Sequence, residues 1–345
     1  MRSPCRCFIV PQSVLDRFSK DLSLPAGTRA AFRETSRVDL AWRLLRSAHT
    51  LAARAQFAGQ AKRTPLAAQP SVTVADCRTS LSLPGIPVKN PKAASDPTVR
   101  RCFRETTGVA KFYKSCFGRN SVDDLGMTLA SSVHYGSKYN NAFWNGSQMT
   151  FGDGDRRIFV DFTQSNDVIG HELTHAVTQY TAGLVYAGEA GGLNESISDA
   201  FGSMFRQWEA GQTAAEADWL IGAGILGPAA KARGYTSLRD LSKPGAAHCL
   251  SPQPSRYADY VPDGDPHVNS GIPNHAFYLI ANGIGGESWE KAGQVWYAAL
   301  TDRKATPTMK FKGFANLTKA AAKRLFPNDP AVPAAVAAGW KAVGL

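Results

Sequence analysis

The sequence lacks any long hydrophobic run. None approaches the ~18 consecutive apolar residues that a membrane-spanning helix needs. The N-terminus also lacks a secretory signal, because the apolar stretch Phe8-Ile9-Val10 is far shorter than the ~7 to 15 residues of a signal peptide and is soon followed by Asp16 and Arg17. We therefore expect no membrane insertion, and a location in the cytoplasm or export by a non-classical route.

Cysteine is scarce. The six cysteines contain no Cys-x-x-Cys pair and do not reach the density of a disulfide-rich fold, so we predict reduced thiols in a reducing compartment. Cys102 and Cys116 lie in one predicted helix, about 21 Å apart along its axis, which is too far for a disulfide. A disulfide between Cys77 and Cys102 is left open by the sequence.

Positive charge is concentrated at the N-terminus. The net charge is +11, and residues 1–63 hold twelve Lys or Arg against four Asp or Glu. Such an arm can bind nucleic acid or anionic lipid, but it lacks the interleaved aromatic and basic residues that stack on bases. We therefore expect a solvated, removable segment and no nucleic-acid partner.

The strongest chemical signal is the pattern His171-Glu172-x-x-His175. On a helix, residues four apart lie on one face roughly 5 to 6 Å from each other, so both imidazoles can bind one metal ion. Glu172 lies about 100° further round the helix, beside the ion, where a general base is needed. A surface helix that carries two histidines by chance is the alternative.

A second helical pattern supplies acidic partners. Glu195 and Asp199 are four residues apart and share one face, with apolar residues on the other. Two histidines and a glutamate form the open three-ligand set of a catalytic zinc, so we predict one Zn²⁺ held by His171, His175 and Glu195. Asp199 can accept a hydrogen bond from the outer nitrogen of a zinc-binding histidine. A solvated acidic face is the alternative.

The order of predicted elements is β-rich and then α-rich. Helical periodicity over 11–60 gives way to short strands from residue 71, a helix over 96–117 and more strands over 127–151. Further helices are predicted over 194–210, 214–225, 273–282, 288–300, 311–325 and 329–343. We therefore predict an α+β fold.

Four other stretches carry a resemblance to a known family. They are Asn141 to Gly146, Phe151 to Asp155, Asn194 to Asp199 and Val268 to Asn274. With the histidine pattern they resemble the thermolysin family of zinc metallopeptidases over about residues 64–345. Residues Cys7 to Leu15 resemble the pro-segment motif of its protealysin-like branch. The resemblance implies a pro-segment at 1–63, a β-rich lobe with the zinc helix at 64–185 and a helical lobe at 186–345, with the active site between the lobes.

The resemblance also implies a zinc-dependent neutral endopeptidase that cuts before hydrophobic residues and is made as a self-inhibited precursor. Glu172 would be the general base, and Tyr186 and His267 would stabilise the oxyanion. The chain is one residue shorter than the family pattern just before His267. The acid that orients this histidine could therefore be Asp263 or Asp265, and we favour Asp263.

Other residues are assigned by the same resemblance. Asn194 would support the zinc ligands, Asn141 and Ala142 would bind an extended peptide, and Arg239 would hold a substrate carbonyl. The hydrophobic pocket for the residue after the cut bond would consist of Phe159, Phe162, Val168 and Leu238. Simple core packing is the alternative for these four.

Two questions about partners are left open. A catalytically silent zinc protein that binds a partner through the same cleft is the alternative to an enzyme, although Glu172 and the surrounding residues are all present. The expected partners are polypeptide substrates, the chain's own pro-segment and, through the resemblance, a proteinaceous inhibitor. The pro-segment could block the cleft sterically or through a thiolate of Cys5 or Cys7 that reaches the metal, and we favour the steric block.

One departure from the family concerns calcium. Thermolysin binds calcium behind its zinc helix, and the matching positions here are Asp167, Arg206, Asp218 and Ala223. Calcium needs six to eight oxygen ligands, and a guanidinium offers none. We predict that Arg206 forms a salt bridge with Asp167 or Asp218 and that calcium is not bound here. The alternative is that Arg206 points into solvent.

Overall fold

The computed structural model describes residues 7–56 and 70–345, with side chains for 7–44 and 70–345. Cys5 and the predicted boundary at residue 63 lie outside these ranges. The N-terminal part consists of strand β1 (Cys7–Phe8) and helices α1 (Gln12–Lys20) and α2 (Ala26–Gln56). In α1 the buried residues Val14, Leu15 and Phe18 recur at helical spacing, so one face of the helix joins the core.

A mixed six-stranded sheet forms the β-rich half. Its other strands are β2 (Val72–Asp76), β3 (Ile86–Pro87), β4 (Leu129–Val133), β5 (Ala142–Trp144) and β6 (Met149–Phe151). The strand order is β1-β5-β6-β4-β2-β3, with β4 parallel to both β2 and β6. Strand β1 pairs antiparallel with β5, so that Phe8 lies opposite Phe143. The N-terminal strand therefore completes one edge of the sheet.

Helix α3 (Pro97–Phe117) agrees with its sequence signals. The Asp96 side chain accepts hydrogen bonds from the backbone of Thr98 and Val99, and Gly118 ends the helix in the left-handed conformation with φ 68°. Proline occupies the first turn, where its missing N–H has no helical partner.

Helices α4 (Asn166–Tyr180) and α5 (Gly188–Ala210) pack closely against each other. Gly202 makes this approach possible, because a Cβ there would lie 2.5 Å from the carbonyl oxygen of Asp167. Both helices are buried along most of their length. Their contact brings the histidine pattern and the second acidic pattern together.

The remaining elements form the helical half. They are β7 (Leu220–Ile221), α6 (Pro228–Lys231), β8 (Arg239–Asp240), α7 (Pro266–Asn269), α8 (Gly271–Ile284), α9 (Lys291–Leu300), α10 (Phe311–Leu325) and α11 (Ala331–Ala342). The helix predicted over 214–225 is wrong. Trp219 has φ 58°, which no α-helix accommodates, and the segment turns into β7. The predicted α+β class is confirmed.

The described cysteines agree only in part with the sequence predictions. Cys77, Cys102, Cys116 and Cys249 are free, so the disulfide between Cys77 and Cys102 is not formed. Cys7, in contrast, is disulfide-bonded, and the prediction of reduced thiols is wrong for this residue. Among the described residues, no helix is both long and apolar enough to cross a membrane.

Candidate zinc centre and active site

Three predicted ligands converge between α4 and α5. His171 Nε2 lies 2.9 Å from His175 Nε2 and 3.4 Å from Glu195 Oε2, and His175 Nε2 lies 3.6 Å from Glu195 Oε1. All three side chains are fully buried, and within the described structure Glu195 Oε2 has no hydrogen-bond partner. Two imidazole nitrogens and a carboxylate that face one point match the donor set of a catalytic zinc. The residues present therefore fit the metal.

The electrostatics of His175 and Glu195 favour the protonation states that a metal needs, whereas for His171 burial lowers the pKa but the contacts with Asp199 and Glu195 raise it to about 9. Burial lowers the pKa of His175 to about 3, which leaves its ring neutral with a lone pair for binding. Burial by itself would raise the pKa of Glu195, but its interactions with His267, His175 and His171 lower it to about 2. The glutamate is therefore ionised at neutral pH.

The outer nitrogens of both histidines are held by polar side chains. His171 Nδ1 lies 2.8 Å from Asp199 Oδ1, and His175 Nδ1 lies 2.8 Å from Asn194 Oδ1 and 3.0 Å from Ser198 Oγ. Such contacts orient the rings so that the Nε2 lone pairs face the metal position. Ser198 was not among the predicted site residues, although its position four residues after Asn194 puts it on the same helical face.

Asp199 has additional partners in the second half of the chain. Arg239 donates to it from Nε and Nη2, each at 2.7 Å, and Asn274 Nδ2 donates to it at 2.9 Å. Asn274 was also missed as an individual residue, although it ends one of the stretches that carry the family resemblance. Asp199 thus links the zinc helix to Arg239.

Glu172 lies in the same buried cluster. Its carboxylate oxygens make no hydrogen bond of normal geometry within the described structure, although the backbone of Trp144 lies nearby. Burial raises the pKa of Glu172 to about 8. In its ionised form, a carboxylate with a raised pKa and free oxygens can accept a proton from a neighbouring water.

Tyr186 and His267 approach the cluster from the other side. Tyr186 Oη donates to Glu195 Oε1 at 2.5 Å and lies 3.3 Å from the His267 ring nitrogens. His267 Nε2 lies 3.3 Å from Glu195 Oε2. Both predicted oxyanion donors therefore surround the same point as the metal ligands.

The acid that contacts His267 is Asp265, so our preference for Asp263 is wrong. Asp265 Oδ1 lies 2.6 Å from His267 Nδ1 and also accepts the His267 backbone N–H at 3.0 Å. It is the N-cap of α7, a position that aims its carboxylate at the first helical turn. Asp263 lies earlier, in a turn with φ 55°.

The predicted peptide-binding residues contact the N-terminal strand. His267 Nε2 donates to the Phe8 carbonyl at 2.5 Å, Ala142 O accepts the Ile9 N–H at 3.1 Å, and Arg239 Nη1 donates to the Ile9 carbonyl at 2.8 Å. The Asn141 side chain accepts from the Val10 N–H at 2.9 Å and donates to the Val10 carbonyl at 3.1 Å. A peptide segment from residues 8–10 therefore occupies the cleft.

Comparisons with known proteins identify the family. The model of the thermolysin metallopeptidase catalytic domain matches residues 103–179, and that of the alpha-helical domain matches residues 182–345. The "Extracellular metalloprotease" of Pectobacterium carotovorum subsp. carotovorum is 43% identical over 291 residues, which cover 81% of this chain and 82% of that protein. This chain belongs to the thermolysin family.

Other relatives and a solved structure agree. The "Protease PrtS" of Photorhabdus sp. (strain Az29) is 42% identical over 286 residues, 79% of this chain and 76% of that protein. The solved structure of the protealysin precursor, a metalloproteinase from Serratia proteamaculans, matches this chain with a TM-score of 0.84 and 37% sequence identity. The match covers 98% of this chain and 99% of the precursor chain. The predicted thermolysin-like, protealysin-type zinc metalloendopeptidase made as a precursor is confirmed.

Family membership also corrects the expected location. The cytoplasmic prediction is wrong, because a relative that is 43% identical over 81% of this chain is named an extracellular metalloprotease. The short apolar stretch at the N-terminus was therefore a poor guide to location.

The four predicted pocket residues are fully buried and belong to the main apolar core. They are Phe159, Phe162, Val168 and Leu238. The Phe159 ring lies 5.4 Å from that of Phe162 and 6.1 Å from that of Phe32 in α2. Burial is compatible with a pocket and with core packing, so their role in this thermolysin-family chain stays a prediction.

Arg206 lies between the two acidic residues at the position of the thermolysin calcium site. Its Nη1 is 3.3 Å from Asp167 Oδ2, and its Nη2 contacts Asp218 Oδ1. Asp167 Oδ2 also accepts the Gly222 backbone N–H at 3.0 Å. The arginine thus occupies the space between carboxylates with its own positive charge.

We predict that calcium does not stabilise the chain through this position. The melting temperature should be unchanged by a chelator selective for calcium over zinc, because Arg206 already neutralises the carboxylates and would repel the ion. Scanning calorimetry with and without the chelator checks this. A melting temperature that rises with added calcium, and no longer does so in Asp218→Asn, would contradict it.

Proposed function

We propose that the buried cluster between α4 and α5 is the catalytic centre for peptide hydrolysis. His171, His175 and Glu195 would hold zinc, and Asp199, Asn194 and Ser198 would fix the ligands. When bound, zinc supplies an activated water and polarises the scissile carbonyl. Glu172 takes the proton from the attacking water, and Tyr186 and His267 donate hydrogen bonds to the oxygen that becomes negative.

The observation that carries this proposal is the path of residues 8–10 through the cleft. Five hydrogen bonds from Asn141, Ala142, Arg239 and His267 hold the backbone of Phe8, Ile9 and Val10. The Phe8 carbonyl lies at the proposed oxyanion donor, so the Phe8–Ile9 bond occupies the position of the bond to be cut. Ile9 is fully buried in the main apolar core, together with the four predicted pocket residues. We infer a preference for cutting before hydrophobic residues.

Residues 1 to about 63 act, in this proposal, as an inhibitory pro-segment. Strand β1 extends the sheet at β5, which is the edge that a peptide substrate would use. The Cys7 sulfur lies near the metal ligands, within 4.8 Å of ligand atoms of His175 and Glu195. Because Cys7 is disulfide-bonded, it carries no thiolate in this form. We therefore favour a steric block over a block by the Cys7 thiolate.

Helix α2 strengthens the block through buried polar contacts. Asp39 accepts hydrogen bonds from Tyr139 Oη and, at 2.7 Å, from Asn141 Nδ2. Burial raises the pKa of Asp39 to about 7. Arg43 lies 3.5 Å from Asp265, the carboxylate that contacts His267. The segment thus engages both a substrate-binding residue and the partner of an oxyanion donor.

Helix α1 and the turn after it attach the pro-segment to the helical half. Arg17 donates to the Leu250 carbonyl at 2.8 Å, and Arg233 lies 2.7 Å from Asp21. The pro-segment therefore contacts both the β-rich half and the helical half, on the two sides of the cleft, as a removable inhibitor would. The lobe boundary near residue 185 and a proteinaceous inhibitor stay predictions.

The experiment is to remove the pro-segment and determine which bonds in an unfolded protein the trimmed chain cuts, with zinc present and after zinc removal. The proposal expects zinc-dependent cuts before hydrophobic residues. Cuts elsewhere, or cuts that survive metal removal, would reject it.

A further inference from the structure

Gln253 lies behind His267 and contacts the backbone that carries it. Its side chain is nearly fully buried, and Nε2 donates to the His267 carbonyl at 2.5 Å and to Ser270 Oγ at 2.8 Å. Ser270 Oγ donates to the same carbonyl at 3.0 Å. One backbone oxygen of His267 is therefore held by two side chains that are distant from the metal ligands in sequence.

The helix that carries His267 is too short to hold the residue by itself. Helix α7 spans only Pro266–Asn269, a single turn, and an isolated turn has little stability. Besides Gln253, it is fixed by Asp265 at its N-terminus and by Asn269, whose side chain bonds the backbone N–H and carbonyl of Val261, each at 2.9 Å. The orientation of α7 depends on these side-chain contacts.

Gln253 also packs closely against the start of α8. A Cβ at Gly271 would lie 2.4 Å from Gln253 Cβ, so only glycine leaves room for the glutamine there. The Gln253 backbone N–H donates to the Pro244 carbonyl at 2.8 Å. The backbone and the Cβ of Gln253 are thus fixed beside Pro244 and Gly271, and its Nε2 faces the His267 carbonyl.

The segment that contains Gln253 is joined to the strand that contains Arg239. Backbone hydrogen bonds link Leu250 N to Ser237 O at 3.0 Å and Ser251 N to Leu238 O at 2.9 Å. Arg239 and His267 contact neighbouring carbonyls of the bound peptide segment, those of Ile9 and Phe8. Gln253 therefore lies on a segment that is bonded to the Arg239 strand, and its side chain contacts the backbone of His267.

We propose that Gln253 is a positioning residue for peptide hydrolysis, which holds His267 where its Nε2 meets the developing oxyanion. This inference depends on the proposed role of His267. Misplacing a catalytic donor by about 1 Å can reduce the rate by roughly 10²-fold. Because a donor aimed at the oxyanion acts mainly in the transition state, its displacement lowers kcat more than it raises KM.

The test uses the trimmed, zinc-loaded enzyme and a hydrophobic peptide substrate. Gln253→Met keeps the volume and removes the amide, and we expect kcat to fall by about 10- to 100-fold with KM changed by less than about threefold. Gln253→Glu keeps the shape but replaces the donor with an acceptor facing the His267 carbonyl, so it should be at least as impaired at neutral pH. Zinc content should stay at one per chain in both variants.

The matched control is Gln207→Met. Gln207 is another fully buried glutamine, whose Nε2 donates to Ser203 Oγ at 3.0 Å and whose Oε1 accepts from Ser288 Oγ at 2.7 Å, at the far end of α5. Gln207→Met should lower the melting temperature about as much as Gln253→Met does, but it should leave kcat unchanged.

Each outcome has a distinct meaning. Equal kcat in wild type, Gln253→Met and Gln207→Met would overturn the positioning role while leaving the proposed function intact. No hydrolysis by the trimmed wild type would instead reject the proposed function. If Gln253→Met does not fold, Ser270→Ala removes one of the two contacts with the His267 carbonyl, and an unchanged kcat in that variant and in Gln253→Glu would overturn the inference.

Discussion

Replacing Glu172 by glutamine should lower kcat/KM for peptide hydrolysis by about 10²- to 10⁴-fold or more, while one zinc per chain is retained. Glutamine keeps the size of the side chain but cannot accept a proton. Glu172 is buried among the metal ligands without a well-formed hydrogen bond within the described structure, so the change removes a base without breaking a contact. Rates on a fluorogenic peptide and metal analysis of the purified trimmed variant check both parts.

Glu195→Gln is the matched control for this experiment. It makes the same chemical change at the carboxylate that faces both histidines, and a neutral amide is a poor zinc ligand. Zinc and activity should therefore both be lost in Glu195→Gln, whereas Glu172→Gln should lose activity and keep its zinc. Near-wild-type rates in Glu172→Gln, or a full complement of zinc in Glu195→Gln, would show that the two roles are assigned wrongly.

Cutting the chain near residue 63 and removing residues 1–63 should raise activity by roughly 10³-fold. The segment occupies the hydrogen-bonding groups of Asn141, Ala142, Arg239 and His267 that a substrate needs. A tethered segment acts at an effective concentration of about 1 mM. For a segment that binds with a Kd of about 1 μM, this concentration is roughly 10³ times the Kd, so the segment suppresses activity by about 10³-fold. Initial rates of the precursor and the trimmed enzyme on one peptide measure the effect.

A pair of pro-segment variants separates specific inhibition from general disturbance. Ile9→Asp places a charge on a fully buried side chain in the cleft and should make the uncut precursor active. Leu22→Asp introduces the same charge on the same segment at a side chain that is 84% exposed, and it should leave the precursor latent. Equal rates for precursor and trimmed enzyme would show that the segment is not an inhibitor.

The central residues of the site could be predicted because their spacing is local. The four-residue separations between His171 and His175 and between Glu195 and Asp199 each define one helical face. Their meeting required only that two helices pack, which Gly202 permits. The family resemblance then pointed to Arg239 and His267, whose contacts with Asp199 and the N-terminal strand no local pattern contains.

Other features depend on tertiary geometry that the sequence does not display. Asp263 and Asp265 are nearly equivalent candidates in sequence, and the start of α7 decides which one faces His267. The positive φ of Trp219 interrupts a segment whose composition favours a helix. Gln253 is fourteen residues before His267, and nothing in its local sequence indicates that its amide reaches the histidine backbone.

The most direct test of the account is the set of bonds that the trimmed chain cuts in a denatured protein, identified by mass spectrometry. We predict cuts on the N-terminal side of hydrophobic residues such as the isoleucine held at position 9. These cuts should disappear when zinc is removed and return when zinc alone is restored. Cleavage without zinc, or cut sites with no preference for a hydrophobic residue after the bond, would contradict a zinc endopeptidase that binds peptides as it binds residues 8–10.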